Sequence, residues 1–388
     1  MIKKIINIVL QVFSLIIPKD DKLIIFGAFS GKRYGDNSAF LFEYIIKEHT
    51  DYKPFWVSHK KDVVDLILKK GLPAINRYSV KAFWYSVRAK YIIGSHNIKD
   101  ASMHKVISSN QHFIYLHHGI PLRKGWFDVV NAPKKSLQSS KDKIKHSSFM
   151  IAPSEYAAQQ QNKLLPIGLE KFRITGLPRN DVFFKELNNY EKELVNKHIP
   201  KSKIKVLYAP TWREWEATKF FPFNDRDLLE LNSKLVEIDT ILILRPHHID
   251  LEKKEFTLLK EEIKLFSNIK LITHNEIADI NIICKFSDIL ITDYSSLIYD
   301  FLIINKPIIY LTYDFDKYME RVGFYPNMKE IVNSGYQPET QNDFIDSVIE
   351  IIEKKDRFEE SRIYLSNKLH KFKDGNSCER VFNEMIKL

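Results

Sequence analysis

The sequence is poor in cysteine and lacks the short motifs of several common site types. It has two cysteines in 388 residues, Cys284 and Cys378, and no CxxC pair. Two isolated thiols exclude a disulfide framework and a cysteine-based zinc site, and they fit a reducing compartment. Walker A, GxGxxG, HExxH and GxSxG sequences are all missing, so any nucleotide must be bound in another way.

The sequence also lacks an apolar run long enough to cross a membrane. The first 17 residues, MIKKIINIVLQVFSLII, are followed by no small-residue cleavage site of the kind that ends a signal peptide. A spanning helix needs about 20 apolar residues. Polar residues recur at helical spacing and leave a wide apolar face, so we predict an amphipathic, membrane-associating helix over residues 1–18. Packing of this helix on the protein's own core is the alternative.

What is present is a basic excess and enough apolar material for two domains. Lys and Arg number 59 against 49 Asp and Glu, which gives a formal net charge of +10, and 44% of the residues are hydrophobic. The basic excess suits an anionic membrane surface or a phosphate-rich substrate, although a biased genome explains it equally well. No nucleic-acid-binding motif is present, so we expect no nucleic-acid partner.

Strand-like and helix-like segments alternate along the whole chain. Several strand-like segments are continuous apolar runs, which is typical of parallel strands buried on both faces. Helical patterns separate them, for example at 37–48, 155–163, 227–237 and 296–304. The sequence therefore predicts an α/β fold with two parallel sheets. The predicted strands are 22–26, 54–58, 91–94, 113–117, 149–152, 204–208, 240–244, 269–272, 289–292 and 307–311.

A polar, lysine-rich segment at 190–203 marks the predicted domain boundary. We predict a Rossmann-like acceptor domain over 19–195 and a Rossmann-like nucleotide-binding domain over 196–388. Two such halves facing a cleft form the arrangement called GT-B in glycosyltransferases. A basic segment at 132–148 is interpreted as an exposed loop region, either a solvated surface or a contact with anionic lipid or polymer.

Polar segments follow four of the predicted strands, at the point where each strand ends. They are HGIPLRKGW from residue 118, APTWRE from 209, RPHH from 245 and DYSSLIYD from 293. Ligands of open α/β sheets bind beyond the carboxyl ends of strands, so these segments hold the candidate site residues. The candidates are His118, Thr211, Arg213, Arg245, His247, Asp293, Ser295 and Ser296.

This set of residues suits phosphate chemistry. Ser295 and Ser296 lead into a predicted helix, whose N-terminal N–H groups bind anions; capping the helix is their simpler role. Arg213 and Arg245 can make charge-assisted, bidentate contacts to phosphate, although one such arginine is more often a surface ion-pair partner.

His118 and His247 are the acid–base candidates, because histidine titrates near neutral pH. Their neighbours His117 and His248 remain alternatives, since spacing cannot choose between adjacent residues. The sequence suggests no metal site: the acidic pair at 225–227 is expected to start a helix. We predict no tightly bound cofactor and leave a divalent cation such as Mg²⁺ open.

Eight blocks, in order along the chain, resemble those of the CDP-glycerol glycerophosphotransferases that build teichoic acids. The longest is ITDYSSLIYDFLIINKPIIYLTYDFDKY at 291–318, and LHHGIPLRKGWFD at 116–128 resembles a histidine-glycine-threonine-proline-leucine-lysine motif. One block would be weak evidence, whereas eight in order are strong. The others are FGAFSGKRYGDNSAFLFEYI at 26–45, AKYIIGSHN at 89–97, ITGLPRND at 174–181, VLYAPTWRE at 206–214, ILRPHH at 243–248 and DGNSCERV at 374–381.

The resemblance implies a GT-B-like fold whose C-terminal half binds most of the nucleotide. It implies functional histidines at His118 and His247. The donor-side residues that it implies are Thr211, Arg213, Arg245, Asp293, Ser295, Ser296, Lys306 and Pro307, with residues 306–309 beside the pyrimidine. On the acceptor side we predict Asp36, Asn37, Gly119 and Arg123.

Some residues depart from the family pattern. Ile120 stands where the family often has threonine, Arg123 stands where it has lysine, and Trp126 occupies the place of a displaced Gly125. These departures concern the acceptor, and the polyol, more than the reaction class. The chain also lacks the extra N-terminal region of the large polymerases, which favours a primer-type or capsule-type enzyme.

The implied activity is transfer of glycerol phosphate from CDP-glycerol to a hydroxyl of a polyprenyl- or lipid-linked saccharide or a polyol phosphate, with release of CMP. The pathway would be teichoic acid or capsule synthesis, at the cytoplasmic face of the membrane. Three alternatives stay open: a CDP-ribitol transferase, a GT-B glycosyltransferase that uses a nucleotide sugar, and a non-catalytic polyanion-binding protein. The last explains the charge of +10 but not four polar strand ends.

Overall fold

The computed structural model describes residues 12, 15–102, 110–125, 127–128, 133–201, 203–325 and 328–388. Most of the predicted N-terminal helix, together with Trp126, therefore lies outside the described residues. Within these ranges, every helix falls short of the length and apolar character that a membrane crossing requires. The chain divides into two compact units, one of Met1–Phe184 with His370–Leu388 and one of Lys185–Leu369.

A seven-stranded parallel sheet forms the centre of the first unit. Its order is β3-β2-β1-β4-β5-β6-β7, so the direction of strand addition reverses between β1 and β4. An open α/β sheet usually has its ligand site beyond such a reversal. The strands are β1 (Asp20–Gly27), β2 (Lys53–Ser58), β3 (Ala74–Asn76), β4 (Ala89–Gly94), β5 (His112–Tyr115), β6 (Ser147–Ala152) and β7 (Phe172–Ile174).

Helices form most of the described connections between these strands, as is usual for the crossovers of a parallel sheet. Ser79 and Ser154 cap two of them by accepting hydrogen bonds from Ala82 N and Ala157 N, both at 3.1 Å. The sheet itself is apolar on both faces, and Phe26 has no exposed surface. The helices are α1 (Asp36–Glu48), α2 (Lys61–Lys69), α3 (Val80–Arg88), α4 (Lys134–His146) and α5 (Glu155–Leu164).

The second unit contains a five-stranded parallel sheet in the order β10-β9-β8-β11-β12. Here the reversal falls between β8 and β11. Its strands are β8 (Ile204–Tyr208), β9 (Thr240–Leu244), β10 (Ile269–Leu271), β11 (Ile289–Thr292) and β12 (Ile308–Tyr310). Its helices are α6 (Asn189–His198), α7 (Leu228–Glu237), α8 (Lys254–Ile263), α9 (Ile280–Phe286), α10 (Leu297–Leu302), α11 (Phe315–Arg321), α12 (Met328–Val332), α13 (Gln341–Ile352) and α14 (Glu359–Leu369).

The last helix, α15 (Ser377–Met385), belongs to the first unit. Its apolar face, which includes Val381 and Phe382, packs into the core formed around β1. The Asp181 carboxylate accepts hydrogen bonds from the first two backbone N–H groups of the helix, each at 2.9 Å. The predicted C-terminal domain of 196–388 is therefore corrected at both ends: the second unit begins at residue 185 and ends at 369.

The predicted α/β fold with two parallel sheets is confirmed, and the ten predicted strands all occur. The sequence analysis missed β3 and β7, which are three-residue strands at the two edges of the first sheet. The prediction of a loop at 132–148 was wrong, since most of this segment forms α4. Lysine and glutamine are good helix formers, which explains why a polar, basic segment is helical.

Candidate active site

A buried carboxylate organises the edge of the first sheet where its order reverses. Asp100 has no exposed surface, and its side chain accepts hydrogen bonds from Ser30 N at 2.7 Å and His96 N at 2.6 Å. These two residues follow β1 and β4, so one carboxylate fixes both loops. Backbone N–H donors can satisfy a buried acid, which makes Asp100 a support for the loops.

Four aromatic rings stack along this edge. The ring of His96 lies 4.4 Å from that of Phe29 and 4.8 Å from that of His118, and it is parallel to the latter within 1°. The ring of His118 lies in turn 4.4 Å from that of His117. The backbone N–H of Phe29 donates to His96 Nδ1 at 3.3 Å. The stack therefore fixes the position of the His118 ring beyond β5.

The two adjacent histidines of this loop have different environments. His117 is 1% exposed, and its Nδ1 contacts the carbonyl of Gly119 and, at 3.4 Å, the side chain of Gln161. His118 is exposed. Since a general base must reach its substrate, the geometry favours His118 over His117.

The predicted acceptor residues Asp36, Asn37 and Gly119 support the same loop. Asn37 Nδ2 donates to the His117 carbonyl at 2.9 Å. Arg179 Nη1 joins the Asp36 carboxylate, at 3.2 Å, to the His118 carbonyl, at 2.9 Å. Burial raises the pKa of Asp36, and Arg179 opposes that rise.

Gly119 and Arg123 lie in the same loop. Gly119 has φ +115, and a Cβ at this position would lie 2.5 Å from Nη2 of Arg179. The fourth predicted acceptor residue, Arg123, is exposed.

Backbone strain is concentrated at this edge. Eight non-glycine residues in the described part have positive φ, and four of them lie here: Phe29, Ser30, Asp36 and His117. Left-handed conformations of such residues cost of order 1–3 kcal/mol each and cluster at functional sites.

In the second unit, the loops after β8 and β11 are joined at the reversal of that sheet. The Asp293 carboxylate accepts from Thr211 N at 2.9 Å and from Tyr294 N at 2.6 Å. The Oγ1 atom of Thr211 is buried near Asp293, whose pKa it helps to lower, but it reaches hydrogen-bond geometry with no described residue. A buried hydroxyl without a partner is costly, so this atom is a candidate ligand contact.

Arg213 is fully engaged inside the second unit. Its side chain has no exposed surface, donates to both oxygens of Asp314 at 2.8 and 2.9 Å, and lies 3.0 Å from Asp293. Burial lowers the pKa of Arg213, but Asp314 and Asp293 outweigh it and raise the pKa above its usual range. The predicted phosphate contact is therefore replaced by an internal ion pair that holds three strand-end loops.

Arg245 is also buried, at 7% exposure, but its partners differ from those of Arg213. Its guanidinium donates to the carbonyls of Ile272 and Ala278 at 3.3 and 3.1 Å, and it forms no ion pair with a carboxylate within the described ranges. Burial lowers the pKa of Arg245 to about 10. Asp279 and Glu276 attract Arg245 without forming an ion pair with it, and a buried cation that lacks a direct carboxylate partner favours an anionic ligand.

The remaining predicted donor residues divide between two edges of the sheet. The ring of His247 is half-buried and stacks on Trp212 at 5.8 Å. Ser295 Oγ accepts from Leu297 N at 3.2 Å, whereas Ser296 occupies the N-cap of α10 without a side-chain bond. Ser295 rather than Ser296 therefore makes the capping hydrogen bond.

Lys306 and Pro307 lie at the opposite edge. They precede β12, and the Lys306 ammonium donates to the carbonyl of Ser287, just before β11, at 2.6 Å. We therefore remove both residues from the candidate donor site.

No group of three or more His, Cys, Asp or Glu side chains in the described part of the chain could hold a metal ion together. Asp227 caps α7 by accepting from Leu229 N and Glu230 N, at 2.9 and 3.0 Å. The structural role predicted for the acidic pair at 225–227 is thus confirmed.

Comparison with known proteins shows the family of this chain. Residues 9–387 match the family described as CDP-Glycerol:Poly(glycerophosphate) glycerophosphotransferase. The chain belongs to this family. The prediction made from eight sequence blocks is therefore confirmed.

Several relatives align over nearly their whole length. A teichoic acid glycerol-phosphate transferase of Staphylococcus aureus is 29% identical over 100% of this chain and 99% of its own. A teichoic acid poly(glycerol phosphate) polymerase of Bacillus spizizenii is 30% identical over 99% of this chain and 96% of its own. A solved structure of the wall teichoic acid polymerase TagF superposes with a TM-score of 0.77 at 22% identity, over 100% of this chain and 97% of that one, and shows the shared fold.

His96, Asp100, Arg179 and Asp314 are the site residues that the sequence analysis did not nominate. His96 lies in the segment SHN directly after β4. The strand-end rule that selected His118 would have selected it too. Asp100 has a local signal, because Asn97 and Asp100 form a capping box at the start of a short 3-10 helix. Asp314 acts through hydrogen bonds to Arg213, 101 residues away, so no local pattern indicates it.

Proposed function

We propose that the protein transfers glycerol phosphate from CDP-glycerol to an acceptor hydroxyl and releases CMP, in teichoic acid synthesis. The family match over residues 9–387 carries this proposal. Its two relatives with about 30% identity are named a teichoic acid glycerol-phosphate transferase and a poly(glycerol phosphate) polymerase, and both align end to end. The exposed, positioned His118 supplies a suitable base.

The reaction is an in-line displacement at the β-phosphorus of CDP-glycerol. The acceptor hydroxyl attacks this phosphorus and passes its proton to His118. The bond between the β-phosphorus and the bridging oxygen breaks, and that oxygen leaves with CMP. The product is a phosphodiester between acceptor and glycerol. Such a reaction depends mainly on positioning and electrostatic stabilisation.

The donor diphosphate would be bound at the carboxyl edge of the second sheet. We propose that the negatively charged diphosphate contacts Arg245, Thr211 and His247. Ser295 and Ser296, at the start of α10, would contact it as well. Arg213 and Asp293 position these loops and do not contact the donor. The observations that support this division are the burial of Arg245 without an ion pair in the described ranges, the buried Thr211 hydroxyl and the internal pairing of Arg213.

Arg245→Ala should lower kcat/KM for CDP-glycerol by about 10–100-fold, since a hydrogen bond to a charged group contributes roughly 1.5–3 kcal/mol. Steady-state CMP release checks this. Lys306→Ala is the matched control, because it removes a half-buried cation from the opposite edge of the same sheet. Equal losses in the two variants would contradict the assignment of Arg245 to the donor site.

The test of the proposed function is acceptor-dependent CMP release, measured with CDP-glycerol, CDP-ribitol and a nucleotide sugar in parallel. A membrane-lipid extract serves as the acceptor. We expect CMP from CDP-glycerol alone. Turnover of the nucleotide sugar only would place the protein among the glycosyltransferases, and no turnover of any donor would favour a polyanion-binding protein.

CDP-ribitol is the second candidate donor. A teichoic acid ribitol-phosphate polymerase of Staphylococcus aureus, TarK, is 23% identical over 98% of this chain and 71% of its own. Its lower identity favours glycerol. We further propose a lipid-linked acceptor at the cytoplasmic face of the membrane, in teichoic acid rather than capsule synthesis because all these relatives carry teichoic acid names.

A further inference from the structure

Five basic residues meet at one corner of the first sheet. Lys32 and Arg33 follow β1, His59 and Lys60 follow β2, and Arg77 follows β3. These strands are neighbours, in the order β3-β2-β1. Since all run parallel, their carboxyl ends bring the five residues to the same edge. We call them the basic cluster.

Short contacts around Gly31 bind the three loops to one another. His59 N donates to the Gly31 carbonyl at 3.3 Å, Ser58 Oγ donates to the same carbonyl at 2.7 Å, and Arg77 N donates to the Ser58 carbonyl at 2.8 Å. A Cβ on Gly31 would lie 2.6 Å from Arg77 Nη2 and 3.3 Å from His59 Nδ1. The absence of a side chain at this glycine therefore lets the arginine and the histidine converge.

The charge of the basic cluster is not neutralised by acids. Within the described ranges, its lysines and arginines form no ion pair, and the Arg77 guanidinium donates to backbone carbonyls, including that of Asp100 at 2.6 Å. Two buried atoms, Arg77 Nε and His59 Nδ1, have no hydrogen-bond partner among the described residues. The Asp100 carboxylate attracts Arg77, but it already accepts from the N–H groups of Ser30 and His96.

Electrostatics agree with this geometry. Burial lowers the pKa of His59, and then Arg77, Lys60 and Lys32 lower it further. Burial also lowers the pKa of Arg33. Like charges held together cost free energy, which a bound anion recovers.

We propose that the basic cluster is a subsite for the phosphodiester groups of an acceptor that already carries glycerol phosphate. This inference rests on the proposed function, which supplies such an acceptor. Arginine binds phosphate bidentately and lysine binds it as a point charge, so the cluster suits a chain of phosphodiesters. The loop after β1 carries Lys32 and Arg33 next to Phe29, whose ring stacks on His96 and so leads to His118. The subsite would favour extension of a phosphorylated acceptor over addition to a neutral saccharide.

The test uses calorimetric titration of the full chain with a short poly(glycerol phosphate) oligomer, without CDP-glycerol. Lys32→Ala/Lys60→Ala removes two exposed cations of the basic cluster. Its control is Lys47→Ala/Lys69→Ala, which removes two exposed lysines from the last turns of α1 and α2. We expect Kd for the oligomer to rise about 10-fold in the first variant and to stay unchanged in the control.

Turnover provides a second readout: KM for the oligomer should rise by the same factor while KM for CDP-glycerol stays constant. Equal weakening in both double variants would show diffuse attraction by net charge and overturn the subsite. If Lys32→Ala/Lys60→Ala lost binding to phosphatidylglycerol vesicles but bound the oligomer as the wild-type protein does, the basic cluster would bind lipid headgroups. That result would also overturn the proposed subsite. Specific oligomer binding without CMP release in the wild-type protein would instead refute the proposed function alone.

Discussion

Replacing His118 with alanine is expected to lower kcat for CMP release by about 10²–10⁴-fold, the usual effect of removing a general base. The His118 ring is exposed at the end of β5 and is positioned by the His96 ring, 4.8 Å away and parallel to it. The adjacent His117 is only 1% exposed. Stopped assays of CMP release at saturating CDP-glycerol measure the effect.

His112→Ala is the matched control for this variant. His112 is half-buried and begins the same strand, at its amino end, where its Nδ1 lies 3.4 Å from Ser148 Oγ. We expect nearly normal kcat for this variant. The thermal midpoint of His118→Ala should equal that of the wild-type protein, because the side chain is exposed. Near-normal turnover of His118→Ala would show that another group takes the proton, with His117 the next candidate.

The pH dependence separates a base from a binding residue. A general base must be deprotonated to act, so kcat/KM of the wild-type enzyme should fall on the acid side of its pH profile. His118→Ala should lose that acid limb and keep a low, flat rate. A variant that retains the wild-type profile at reduced rate would assign His118 to acceptor positioning.

The fold was largely predictable because buried parallel strands are continuous apolar runs. The elements β3 and β7 escaped because three-residue edge strands carry too few apolar positions to form a pattern. The return of α15 to the first unit was not predictable either. Its apolar face is visible in the sequence, but the core that it completes is formed by residues between Ile24 and Leu177.

The site was predictable to the level of the sheet edge. The strand-end rule placed Thr211, Arg245 and Asp293 correctly at the carboxyl edge of the second sheet. Lys306 was nominated from the family resemblance, although it precedes its strand and the strand-end rule does not select it. Whether an arginine at that edge faces a ligand or an internal acid depends on long-range pairing. Arg213 and Asp314 are 101 residues apart, so sequence reasoning could not distinguish Arg213 from Arg245.

That internal pairing gives the largest expected effect on stability. Arg213→Ala should lower the unfolding free energy of the second unit by about 3–5 kcal/mol, because it leaves Asp293 and Asp314 buried without a counter-charge. Three tyrosine rings, those of Tyr294, Tyr313 and Tyr318, lie 5.1–5.5 Å from the guanidinium and exclude water from it. Hydrogen exchange of the Thr211 and Tyr294 amides, which donate to Asp293, reports the second unit by itself.

The loss of unfolding free energy in Arg213→Ala should depend on pH in a defined direction. Burial already raises the pKa of Asp293 against the opposing effect of Arg213, and removal of the arginine raises that pKa further. A carboxyl whose pKa is higher in the folded than in the unfolded state favours folding at low pH, and this stability is lost as pH rises toward the folded pKa. The difference in unfolding free energy between the wild-type protein and Arg213→Ala should therefore be smaller near about pH 5 than near about pH 8.

Arg226→Ala is the control, because Arg226 forms an exposed ion pair with Glu262 at 2.6 Å and should contribute at most about 1 kcal/mol. The triple variant Arg213→Met/Asp293→Asn/Asp314→Asn removes all three charges and should recover most of the lost stability, since a buried charge is costly mainly when its partner is missing. If Arg213→Ala were as stable as Arg226→Ala, the guanidinium would not hold these loops, and Arg213 would return to the candidate phosphate ligands.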